Sequence, residues 1–220
     1  SQLVIVVDFG AQYGQLIARR VRDQHVYSEI VPCDITAEEV RDLAPAAIIL
    51  SGGPASVYAE DAPSIDPGIF ELDIPVLGFC SGQQIMAVTL GGTVGHTDAG
   101  EYGAAALTRC DEGASLLYGE TPVEQTVWMS HRDAVAEAPA GFAVTASTDT
   151  ECAERRLYAT QFHPEVRHTP HGDELLKNFL FGICGLEPSW TMDSIIDDAV
   201  EAIREQVGSD RVILGLSGGV

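Results

Sequence analysis

The run Leu3-Val4-Ile5-Val6-Val7 is apolar without interruption and closes in Asp8, the pattern of a strand buried on both faces. Gln12 to Arg22 follows, with Leu16, Ile17 and Val21 on one helical stripe. Two more apolar runs, Ala46 to Leu50 and Val76 to Phe79, end in the glycine turns Ser51-Gly52-Gly53-Pro54 and Gly78-Phe79-Cys80-Ser81-Gly82, and Gly82 to Leu90 reads as a helix. Strands of this kind with helices between them predict an α/β fold, an open, mostly parallel sheet flanked by helices, with both turns at the carboxyl ends of strands. From Thr93 to Gln161 the segments shorten (Gly103 to Thr108, Val127 to Met129, Ala143 to Ser147), which predicts a smaller mixed or antiparallel sheet. Leu157 to Gln161 reads as a strand, and Asp173 to Phe181 as a helix with Leu175, Leu176, Phe179 and Leu180 inward.

The expected organisation is a domain over 1–185, a linker over 186–191, and a truncated start of a second α/β domain over 192–220. That last piece combines an amphipathic helix, Met192 to Gln206, with an apolar run, Arg211 to Leu216, leading into Ser217-Gly218-Gly219-Val220. A length of 220 residues suits one full core plus a fragment.

Composition narrows the function classes. No stretch approaches membrane-spanning length and the N-terminus does not resemble a signal peptide, so a soluble, cytoplasmic protein without membrane partners is expected. Five cysteines, odd in number and without a C-x-x-C pair, argue against a disulfide framework and against a structural zinc site. The chain carries 33 acidic against 12 basic residues, and Lys177 is the single lysine, which disfavours nucleic-acid binding. The acidic residues are dispersed over the chain, so self-repulsion at a net charge of −21 predicts stabilisation by salt and a halophilic host.

Cys80 carries the candidate chemistry. A strand-to-helix elbow needs small residues on both sides of its nucleophile, and Gly78 and Gly82 supply them; the helix N–H groups then favour thiolate. A cysteine nucleophile needs a base, and the base an orienting group. His163-Pro164-Glu165 offers both, because proline biases His163 to extended backbone and places Glu165 on the same side. The order Cys, His, acid differs from that of α/β-hydrolases. The second glycine turn can present the Gly53 N–H to an oxyanion, with the Ser81 N–H as the other donor. His168, His171 and Asp173 have a metal-like spacing but lie in a polar loop, and no metal is assigned to them. Ser130-His131-Arg132-Asp133 reads as a capped helix start, and His25 and His96 carry no signal.

With these motifs in hand, the chain resembles the class I (triad) glutamine amidotransferases from residue 3 to about 185, and within them the GMP synthetase family. Asp8-Phe9-Gly10-Ala11-Gln12-Tyr13, Arg19-Arg20-Val21-Arg22, Glu101-Tyr102-Gly103, Trp128-Met129-Ser130-His131 and Phe162-His163-Pro164-Glu165 carry the finer likeness. The resemblance implies a flavodoxin-like fold and catalysis by Cys80, His163 and Glu165. It further implies an oxyanion hole at Gly53 and Ser81, and glutamine contacts at Gly52, Gln84, Ser130 and His131. It implies no cofactor in the amidotransferase domain. In the complete enzyme it implies an ATP pyrophosphatase partner that uses ATP and Mg2+ to aminate XMP, and it allows a homodimer. Ser217, Gly218 and Gly219 match the beginning of that partner's phosphate loop, and Glu101-Tyr102-Gly103 is expected to face it. Departures are Ser81, where the family commonly has an aromatic residue, and Arg132, where it often has glycine. Alternative readings are the amidotransferase subunit of anthranilate or carbamoyl phosphate synthesis, or a non-catalytic regulatory module on the same fold.

Overall fold

The computed structural model describes residues 2–10, 13–53, 56–60, 62–110, 115–146, 149–152, 155–208 and 210–211. The three apolar runs form strands β1 (Val4–Asp8), β3 (Ala47–Leu50) and β4 (Val76–Phe79), and each is buried along nearly its whole length. They pair in parallel with β2 (Ser28–Pro32) and β9 (Leu157–Thr160), and β8 (Asp149–Cys152) and β7 (Ala143–Ala146) extend the sheet antiparallel, giving the order β2-β1-β3-β4-β9-β8-β7.

Alternate residues of the parallel strands feed two separate cores, because successive side chains of a strand leave on opposite faces. Val4, Val6, Ile49, Leu77 and Phe79 meet Ile17 and Val21 of α1 (Gly14–Asp23) and Leu175 and Leu176 of α4 (Gly172–Lys177). On the other face Ile5, Val7, Ile48, Leu50 and Val76 meet Val40 of α2 (Ala37–Leu43), Ile69 and Phe70 of a 3-10 turn (Pro67–Glu71), and Ile85 and Met86 of α3 (Ser81–Thr89). This is the three-layer α/β arrangement expected from the run pattern.

The expected smaller antiparallel sheet is present, and three expectations differ in detail. Several of the short segments predicted after Thr93 merge into a long two-stranded ribbon, β5 (Thr93–Thr108) against β6 (Glu124–Glu137), packed on α3. Ser130 to Asp133, expected to start a helix, lies inside β6. Gln125, Val127, Met129, His131 and Asp133 all turn inward there, so the strand alternation is present but is carried partly by polar residues. The predicted helix over 173–181 divides into α4 and a π-helical turn, Asn178–Ile183.

Beyond it Leu186 is buried, and the segment is tied to the N-terminal end of the chain. Glu187 N–H donates to Gln2 Oε1, Trp190 N–H donates to the His25 carbonyl, and the Trp190 ring lies against Tyr27. Helix α5 (Met192–Val207) follows, with Ile196, Val200 and Ile203 exposed on one stripe. The expected strand from 211 and the residues Ser217, Gly218 and Gly219 fall almost entirely outside the described residues. No helix among the described residues is long and apolar enough to cross a membrane.

Candidate active site

The carboxyl ends of β1, β3, β4 and β9 open on one cavity of about 830 Å³, within the size range of small-molecule sites. Cys80 follows β4 directly and caps α3 with φ 50° and ψ −111°, a backbone region that side-chain-bearing residues rarely occupy. Its N–H donates to the Thr160 carbonyl at 2.8 Å, which pins the turn to β9. Both flanking glycines are steric requirements. A Cβ on Gly78 would lie 2.9 Å from the backbone of Gly82 and Gln83, and one on Gly82 would lie 2.5 Å from the Leu50 carbonyl oxygen. The sheet and α3 therefore close on the turn so tightly that positions 78 and 82 have no room for a side chain, and the Cys80 side chain lines the cavity.

His163, in the segment that follows β9, reaches Cys80, and Glu165 stands behind it. Although the backbone at 164–165 is a turn rather than extended chain, His163 Nδ1 lies 2.8 Å from Glu165 Oε1, and the other ring nitrogen is left for the hydrogen bond with Cys80. Burial pushes the imidazole toward neutrality. The hydrogen bonds to Cys80 and Glu165, and the charges behind them, outweigh burial and raise the His163 pKa from 6.5 to about 10. Glu165 Oε2 is buried with no hydrogen-bond partner among the described residues, so the carboxylate turns its whole directed interaction to the imidazole.

The segment around this pair is held at three backbone groups. His163 N–H donates to the Trp128 carbonyl, Thr169 Oγ1 donates to the His163 carbonyl at 2.7 Å, and Arg20 Nε donates to the Glu165 carbonyl at 2.9 Å. The Tyr13 ring covers His163 at 5.3 Å between centroids.

The Gly52–Gly53 turn faces this triad. A Cβ on Gly52 would touch His163 Cε1 at 3.4 Å and Cys80 Cβ at 3.7 Å, so the glycine lets backbone approach both side chains. Gly53 and Ser81 stand next to each other, joined by a 2.8 Å hydrogen bond from Ser81 Oγ to the Gly53 carbonyl, and both line the cavity. Gln84 also lines it, yet its amide nitrogen is committed to the Asp133 carbonyl at 2.6 Å and Gln161 Oε1 at 3.2 Å. The ribbon supplies Ser130, whose carbonyl lies 3.6 Å from the Cys80 sulfur, and His131, whose two ring nitrogens meet the Asp133 carbonyl and Glu101 Oε2. His131 thus braces the wall of the cavity through its neighbours. Tyr102 stands 64 % exposed at the same cavity.

Sequence reasoning passed over three of the participants. Gln161 is fully buried and donates to the Cys80 sulfur at 3.7 Å. Asp133 is a buried carboxylate lining the cavity. Ser56 donates to it and holds its pKa below the ordinary value against the opposing effect of burial, with His96 at 2.8 Å adding to the shift. Ser51 is fully buried beneath the glycine turn. The polar residues at inward positions of β6 were the signal that could have marked Asp133. By contrast His168 stacks on Trp128, His171 pairs with Glu174, and Asp173 lies 3.9 Å from Arg20. Among the described residues no group of three or more such side chains could hold a metal ion.

The chain matches a known family over residues 5–183: glutamine amidotransferase class-I. The chain belongs to the class-I glutamine amidotransferases. Similar relatives of this amidotransferase include the GMP synthase [glutamine-hydrolyzing] of Streptomyces avermitilis, 58% identical over 99% of the chain, and that of Thermobifida fusca, 54% identical over 99%. The chain spans 42% of the length of each of these relatives. A solved structure from Thermoplasma acidophilum, described as a GMP synthase subunit, superposes with a TM-score of 0.74 at 29% identity, covering 92% of this amidotransferase and 97% of that chain.

Proposed function

We propose that this chain hydrolyses glutamine at Cys80 and that the complete protein uses the ammonia to convert XMP to GMP. The hydrogen bonding of Cys80 to a His163 imidazole that is held by Glu165, on an elbow closed by Gly78 and Gly82, carries the reading.

In the reaction the glutamine carboxamide enters the cavity and the Cys80 thiolate adds to its carbonyl carbon. The oxygen gains charge and is met by the Gly53 and Ser81 N–H groups. His163 gives its proton to the amide nitrogen, the C–N bond breaks, and ammonia leaves a thioester on Cys80. Water then adds to the thioester carbon as His163 takes one of its protons, the C–S bond breaks, and glutamate departs. A histidine pKa near 10 keeps the proton on the imidazole until the leaving nitrogen draws it away. Gly52, Gln84, Ser130 and the His131-braced wall position the substrate. Asp133 supplies the anion for its α-ammonium group, being the buried carboxylate of the cavity lining.

The likeness to GMP synthases extends over 99% of the chain, past the amidotransferase boundary at 183, which favours this pathway over anthranilate or carbamoyl phosphate synthesis. The ATP pyrophosphatase partner, its ATP and Mg2+, and dimerisation of the complete protein belong to the same proposal. In the test, Cys80→Ala is introduced into the complete protein, and GMP formation is followed with glutamine and with ammonium chloride. Glutamine-dependent activity is expected to vanish while ammonium-dependent activity persists. Equal loss of both would refute a separable glutaminase site.

A further inference from the structure

The two backbone donors assigned to the oxyanion hole sit in different turns, and nothing in a glycine turn by itself fixes where its N–H points. Here both carbonyls around the Gly53 N–H are held by serine hydroxyls. The Gly52 carbonyl, which shares a rigid peptide plane with the Gly53 N–H, accepts from Ser51 Oγ at 2.9 Å. Ser51 Oγ in turn accepts from the Phe9 N–H at 3.1 Å, which anchors the unit to the end of β1. On the other side the Gly53 carbonyl accepts from Ser81 Oγ at 2.8 Å. Gly53 has no room to retreat, because a Cβ there would lie 3.0 Å from the Phe9 carbonyl oxygen. Ser81 also opens α3, so one residue provides a donor through its backbone and grips the turn bearing the other donor through its side chain.

We propose that Ser81 is a positioning residue whose hydroxyl, by holding the Gly53 carbonyl, presets both oxyanion donors before glutamine binds. An aromatic side chain at this position carries no hydroxyl on the γ atom and cannot make this bond. The proposal rests on the glutaminase reading above. Preorganised donors act when charge develops on the substrate oxygen, so the hydroxyl affects turnover rather than ground-state binding.

The test compares wild type, Ser81→Ala and Ser81→Thr in the complete protein by glutamate release, and measures alkylation of Cys80 by iodoacetamide, a displacement in which no oxyanion forms. Ser81→Ala is expected to lower kcat about tenfold, the effect of one lost neutral hydrogen bond, with little change in KM. Ser81→Thr restores kcat, and the alkylation rate stays at the wild-type value in both variants. If wild type hydrolyses glutamine and Ser81→Ala does so equally fast, or if Ser81→Thr is as slow as Ser81→Ala, the positioning role is overturned. Parallel slowing of alkylation would also overturn it, since the hydroxyl would then act on the sulfur. A wild type that releases no glutamate removes the glutaminase reading itself, a result distinct from these.

Discussion

Replacing Glu165 by glutamine keeps the shape of the side chain and removes its charge, which makes it the sharpest probe of the buried pair. Raising His163 from 6.5 to about 10 corresponds to about 5 kcal/mol of preference for the imidazolium form in the folded protein. The hydrogen bond to Cys80 and the 2.8 Å bond to Glu165 supply that preference against burial. A hydrogen bond to a charged group contributes about 1.5–3 kcal/mol, so the variant should lose about one to two pH units of the elevation. Because the folded pKa lies above the unfolded one, the stabilisation is fully present below pH 6.5 and is lost as pH rises through about 10. Wild-type stability should therefore decline across that window, and in Glu165→Gln the decline should begin at the same pH, be smaller in total and end at lower pH. NMR titration of the His163 ring, read beside denaturant unfolding from about pH 6 to 10.5 and the alkaline limb of glutamate release, tests this directly. A His163 titration that remains near 10 in Glu165→Gln would show that the carboxylate is not what holds the proton.

Two further substitutions probe the frame and the substrate end of the cavity. Gly82→Ala would place a methyl group 2.5 Å from the Leu50 carbonyl oxygen and 2.8 Å from Leu50 Cβ and the Ser51 carbonyl oxygen, so overpacking should cost about 1–3 kcal/mol and lower the melting temperature. An unchanged thermal midpoint would mean the turn is looser than these distances. Asp133→Asn should raise KM for glutamine by about tenfold, in line with the loss of a charge-assisted hydrogen bond, and leave kcat nearly intact in steady-state assays. A fall in kcat alone would move Asp133 from substrate binding to support of the ribbon.

Much of the scaffold was legible because it follows from one-dimensional rules. Val4 to Val7, Ala47 to Leu50 and Val76 to Phe79 have no polar face to show, and a run buried on both sides needs helices above and below. Gly78 and Gly82 announced the Cys80 elbow because the excluded volume of that turn leaves no other choice. Helix α2 had a readable start, the capping box of Thr36 and Glu39, whose reciprocal bonds the structure contains. Hydrophobic spacing over seven residues, with Val40 alone buried, was too sparse to draw attention to it. The ribbon was misread for a different reason. Strand alternation is recognised by apolar residues on the inward face, and β6 spends His131 and Asp133 of that face on a cavity. Gln161 and Ser51 were hidden likewise, since their hydrogen bonds cross from one strand end to another and leave no trace in local spacing.

The left-handed backbone at Cys80 has a consequence for how such a site persists. A residue with a side chain at φ 50°, ψ −111° raises the energy of the native chain by about 1–3 kcal/mol, whereas glycine adopts that geometry freely. Selection for durability alone would thus erode the nucleophile in favour of glycine, with no change elsewhere in the sheet. The thiol endures at this position only while turnover is under selection, and a lineage released from that demand would lose its chemistry before its architecture.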